Sequence, residues 1–142
     1  MKSPGIPCMK DFVPKVGRTL IVGSQIYKKR PDRRKLYSNV LGVDMLSGPG
    51  VDRVLNLEEK IPLDLGLFSH IECISVLEHS RRPWLMAENL EKLLVFGGTL
   101  HIEVPFVWRV HAYPNDYWRM TSEAVRMLFP AIQWDVLELF PH

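Results

Sequence analysis

Short apolar runs, each broken by glycine, proline or an acid, set the rhythm of this chain. Thr19-Leu20-Ile21-Val22 stops at Gly23, and Val40-Leu41-Gly42-Val43 stops at Asp44. A weaker run covers Arg53 to Leu57 and a longer one His70 to Leu77. A fifth, Thr99 to Val104, is entered through Gly97-Gly98 and left at Pro105, and a sixth spans Gln133 to Phe140. Runs this short, apolar at successive positions, fit strands buried on both faces, as in a parallel sheet.

Helical periodicity fills some of the intervals. Ser80 is placed to cap a helix and Pro83 to sit in its first turn, where a missing N–H costs nothing. Leu85, Met86, Leu90, Leu93 and Leu94 recur at helical spacing, with Gly97 as a stop. Thr121 can cap a second helix in which Glu123 favours the positive end, Val125, Leu128 and Phe129 face inward, and Pro130 ends the run. Between the first two strands, Pro31 and dense charge argue against a long helix and leave room for a short turn from about Asp32 to Tyr37. Strands alternating with helices predict an α/β fold: a Rossmann-like, mostly parallel sheet of about six strands joined by right-handed crossovers. Residues 1–17, rich in proline and glycine, read as an irregular arm on a single domain spanning 1–142.

Composition narrows the class. The 142 residues are enough for one ordinary domain, and 46% hydrophobic with 24% charged is a globular balance. A net charge of +2 is too small to steer the molecule onto nucleic acid. Six positive residues crowd Lys28 to Lys35, a density more often found in a solvated loop than in a phosphate site. Cys8 and Cys73 form no motif, which suits a reducing, cytoplasmic setting. No signal peptide or membrane span is expected, and five histidines without regular spacing carry no metal signature.

In doubly wound sheets, ligands bind beyond the carboxyl ends of the strands, where the strand order switches. The first run ends in Gly23-Ser24-Gln25, and glycine there lets backbone approach a ligand closely. Asp44 follows at about twenty residues, the spacing at which a carboxylate accepts hydrogen bonds from ribose hydroxyls. Asn56 offers an amide to an adenine edge and Leu57 a face to pack on it. The fourth run passes into Ser75-Val76-Leu77-Glu78-His79.

Taken in order, four segments carry a resemblance. They are Val43-Asp44, Gly48-Pro49-Gly50-Val51-Asp52, Val76-Leu77-Glu78-His79, and His111-Ala112-Tyr113-Pro114-Asn115-Asp116-Tyr117-Trp118-Arg119-Met120-Thr121. Together they resemble the class I S-adenosylmethionine-dependent methyltransferases, closest to small methyltransferase type 11-like proteins, over about residues 19–129. The resemblance implies S-adenosylmethionine as cofactor. It places Gly23, Ser24 and Gln25 at its methionine part, Asp44 on the ribose and Met45 on the adenine. Asn56 and Leu57 would line the adenine pocket, and Ser75, Val76 and Leu77 would lie beside the sulfonium. His79, His111, Asp116 and Tyr117 would border a small-molecule or glycan acceptor. His111, oriented by Asp116 and Tyr117, ranks just ahead of His79 as a general base for a hydroxyl or amine.

Against that pattern, the first loop has one glycine where the family reads G-x-G-x-G, and the helix after it is short or absent. This favours a competing reading, a methyltransferase-shaped interaction module with weak or no cofactor binding. A nicotinamide-binding fold is disfavoured, because a pyrophosphate needs the closer approach of G-x-G-x-x-G. The family sheet has a seventh strand, whereas this chain ends after its sixth run, as a minimal or C-terminally truncated form. A bare sheet edge, a template for pairing, then predicts a homodimer or another covering partner.

Overall fold

The computed structural model describes residues 17–111 and 114–135. Five strands, β1 (Thr19–Val22), β2 (Val40–Asp44), β3 (Arg53–Val54), β4 (Phe68–Ile74) and β5 (Leu94–Glu103), form one sheet in the order β3-β2-β1-β4-β5. Every neighbouring pair is parallel. Two helices, α1 (Pro83–Leu93) and α2 (Ser122–Leu128), complete the α/β domain. The arm expected at 1–17 lies almost wholly outside the described residues, and so does most of the sixth run.

Side chains alternate across a strand, so the register divides the sheet into two chemically different faces. Leu20, Val22, Val43, Ile71 and Cys73 share one face. That face joins Met86, Ala87, Leu90 and Leu93 of α1, and Val125 with the adjacent Phe129 at α2, in a single hydrophobic core. On the opposite face His70 pairs with Thr99 and Glu72 with His101. There the 23–39 connection supplies the cover: Tyr37 O–H donates to Glu72 Oε2 at 2.7 Å and Arg33 Nε donates to Glu72 Oε1. The basic run is therefore only partly a solvated loop. Lys28, Lys29, Arg30 and Lys35 are exposed, but Arg33 closes over a carboxylate that is 1% exposed.

The local signals translate as elementary chemistry requires. A single 3-10 turn at Arg33–Leu36 starts where Asp32 accepts the Arg34 N–H and ends at Tyr37. Pro83 opens α1, and Thr121 Oγ1 caps α2 by accepting the Ala124 N–H at 3.1 Å. Three expectations shift. Ser80 does not cap α1: the N-cap position is Arg82, whose side chain makes no capping bond, and Ser80 Oγ accepts the Arg82 N–H at 3.2 Å. The first helix ends at Leu93, because the Leu94 N–H returns to the Glu91 carbonyl and the backbone turns extended at once; Gly97 and Gly98 then fall inside β5, at a register irregularity. The third strand is only two residues long. Leu55 N–H still reaches the Asp44 carbonyl, but Asn56 Oδ1 accepts the Glu58 N–H and turns the chain away.

Candidate functional site

The strand order switches between β1 and β4, so the loops after these two strands face each other across a crevice. Gly23 leaves β1 in the left-handed region at φ 68°, and a methyl added there would lie 2.4 Å from Val76 Cγ2. Only glycine meets both demands. Ser75, leaving β4, also has a positive φ of 54°, a strained state for a side-chain-bearing residue and one that clusters at functional sites.

Asp44 stands at the tip of β2. Its Oδ2 accepts the Gln25 N–H and its Oδ1 the Leu46 N–H, each at 3.2 Å. These long single contacts leave lone pairs on both oxygens for further donors. The Gly23–Ile26 loop is stitched to the second loop rather than to a helix. Ser24 N–H donates to the Val43 carbonyl and Ile26 N–H to the Pro49 carbonyl. Gly50, at φ 88°, lets the Ser24 carbonyl come within 2.5 Å of where a β-carbon would be. Asp52 locks the same turn by accepting the Gly42 N–H at 2.7 Å.

One groove is bordered by Gly23, Gln25, Asp44, Met45, Leu57, Ser75, Val76, His79 and His111. The fold thus brings together residues drawn from loops far apart in sequence. Other anticipated residues point elsewhere. Ser24 Oγ is buried beneath the loop, Asn56 spends its amide on its own turn, and Leu77 is wholly in the core. Tyr117 O–H accepts from Arg81 Nε at 3.0 Å, so it does not orient His111.

The groove's polar end is built around Glu78, which the sequence reading left without a role although it lies inside Val-Leu-Glu-His. A tight turn, Leu77–His79, buries Glu78 to 1% exposure, and among the described residues neither carboxylate oxygen has a hydrogen-bond partner. Burial pushes its carboxyl above the usual range. His79 Nε2 lies 3.7 Å and His111 Nε2 3.8 Å from Glu78 Oε1. His79 Nδ1 donates to the Asn115 carbonyl at 2.6 Å. His111 Nδ1 is 3.1 Å from Asp116 Oδ2 and 3.3 Å from the Arg109 carbonyl. With only acceptors around each Nδ1, the proton of each neutral ring sits there, and each Nε2 presents a lone pair. Asp116 is itself held by Arg119 through contacts of 2.6 and 2.8 Å, and the Arg119 guanidinium keeps its carboxyl well below the usual carboxylate range.

This is an α/β domain built on a five-stranded all-parallel sheet, with a groove at the carboxyl ends of β1, β2 and β4 whose polar end is formed by Glu78, His79 and His111. No protein-family model matches the chain, and no curated protein matches it. Among the described residues, no helix is long and apolar enough to cross a membrane.

Proposed function

We propose that the chain binds S-adenosylmethionine at the β1/β4 switch point and transfers its methyl group to a small-molecule or glycan acceptor. The observation that carries this reading is Asp44. It is a carboxylate at the end of the strand next to β1, anchored by two backbone N–H groups and keeping free lone pairs toward the groove. The strand order is shared with Rossmann-like sheets, in which this position takes the ribose hydroxyls. The residues fit such a group in part. Asp44 supplies the hydroxyl acceptor, Gly23 keeps backbone without a side chain at the crevice, and Met45 supplies apolar surface, with the core residue Leu57, 2% exposed, behind it.

When bound, the cofactor supplies a methyl on a positively charged sulfur, already activated for transfer. What remains for the chain is placement and exclusion of water. Asp44 fixes the ribose, Ser75 and Val76 shape the wall between β1 and β4, and the Glu78–His79–His111 end offers a polar surface to the acceptor.

One observation favours the second reading, a binding module without catalysis. The 23–39 connection contains only a single 3-10 turn, so this connection turns no helix N-terminus toward the Gly23 loop. Isothermal titration separates the two. S-adenosylmethionine and S-adenosylhomocysteine bind the parent chain, and Asp44→Ala weakens binding about 10–100-fold, the worth of hydrogen bonds to a charged group. Absence of binding at millimolar ligand overturns the enzyme reading.

A further inference from the structure

We propose that Glu78, His79 and His111 form a binding site for a divalent first-row transition ion of the zinc class. Three ligand atoms, one from each residue, lie within 4.8 Å of one another. Two are imidazole Nε2 atoms at 3.7 and 3.8 Å from Glu78 Oε1. An ion bonded at about 2.0–2.1 Å holds neighbouring ligand atoms roughly 3.0–3.6 Å apart. The two carboxylate–imidazole separations therefore need to close by only a few tenths of an ångström, and the two imidazoles, whose ligand atoms lie within 4.8 Å, by about an ångström or more. The separations are too long for hydrogen bonds, so the carboxylate and the two nitrogens face one another without satisfying one another.

Two features distinguish this cluster from a chance meeting of polar groups. Glu78 is 1% exposed and both its oxygens lack hydrogen-bond partners among the described residues, a costly arrangement that a bound cation relieves. Each imidazole is also held from behind through Nδ1, His79 by the Asn115 carbonyl and His111 by Asp116 and the Arg109 carbonyl. A carboxylate or carbonyl behind Nδ1 is the arrangement that aims Nε2 at a metal and raises its basicity. The nearby guanidinium of Arg119 is hydrogen-bonded to Asp116 and acts on Glu78 only through space.

Two imidazoles and one carboxylate suit zinc, cobalt or ferrous ions and disfavour magnesium and calcium, which prefer oxygen ligands. Three protein ligands leave coordination positions open, and all three residues border the groove. Water or a substrate oxygen can occupy the open positions.

The test uses the full chain, stripped of metal by a chelator. Zinc alone binds at one equivalent in isothermal titration and raises the melting temperature, while magnesium does neither. Glu78→Gln keeps the parent's circular dichroism, since the amide has the same shape without the buried charge, and it loses zinc binding. Asp116→Asn weakens zinc about 10–100-fold, as expected when a group behind a ligand is altered. A measurement that needs no variant is the imidazole nitrogen spectrum of the parent, in which zinc shifts the Nε2 resonances of two histidines only. No zinc binding by the parent, equal binding by Glu78→Gln, or shifts at other histidines overturns the site. Asp44 is not among the ligands and no S-adenosylmethionine is present, so this proposal and the methyl-transfer reading fail separately.

Discussion

Glu72 and Glu78 are each 1% exposed, yet the fold treats them in opposite ways. Burial is the largest influence on both and pushes both carboxyls up. At Glu72, hydrogen bonds from Arg33 and Tyr37 outweigh burial and bring its carboxyl below the usual range, whereas no such donor reaches Glu78. Arg33→Ala leaves Glu72 with Tyr37 alone. The expected loss is about 3 kcal/mol at neutral pH, the low end for unpairing a buried charge, because Arg33 remains partly exposed. Urea denaturation of parent and variant measures it. The Glu72 contribution is complete above the ordinary carboxyl value and is lost as pH falls through the lowered folded value. The difference between the two chains therefore narrows on acidification, and a constant difference would show that the Arg33–Glu72 pair is not its source. That Glu72 would be buried could be read from its place in an apolar run. Its partner could not, because Arg33 reaches it across 39 residues of chain.

At the scale of elements, local chemistry was the most legible part of the sequence. Asp32, Pro83 and Thr121 act as the side chains of their types do, and the turn at Arg33–Leu36 replaces a helix for the reason Pro31 announces. Helix α2 has only seven residues and depends on its cap and on Val125 and Phe129 reaching the core. Thr121→Ala is expected to cost about 1 kcal/mol. Chemical denaturation reads this loss, and an unchanged midpoint would mean that core packing alone holds the helix. The strand ends were less legible. An amide such as that of Asn56 suits an adenine edge, but here its oxygen accepts a backbone N–H two residues on, and the nearer partner wins.

The whole molecule is a sheet with one face against helices and the other against a charged connection. Acid should therefore unfold it through its paired carboxylates. At Glu58, as at Glu72, burial pushes the carboxyl up but is outweighed, here by hydrogen bonds from Ser80, Arg81 and Arg82. Both folded values lie below the ordinary 4.5, so their stabilisation is complete above that value and is lost as pH falls through the folded values. Glu78 has the opposite sign. Its raised value penalises the fold near neutrality and relieves it on acidification. Glu103 and Asp116 are lowered as well, so the lowered carboxyls outnumber Glu78 and predict a net loss of stability as pH falls below about 4.5, followed by circular dichroism against pH. A stability that rises on acidification would show that Glu78 dominates.

The sequence by itself determined the elements, their apolar faces and the parallel, alternating character of the chain, because propensity, capping and periodicity act over a few residues. It also placed Asp44 at a strand end. Only the tertiary structure decided which polar groups meet. His79 and His111 come from loops 32 residues apart, and the stitching of the Gly23 loop to Pro49 and Gly50 joins two further segments. Such contacts depend on strand order and register, which no short-range pattern encodes. The same long-range packing buried Glu78 between two imidazoles, without a hydrogen bond to its carboxylate among the described residues.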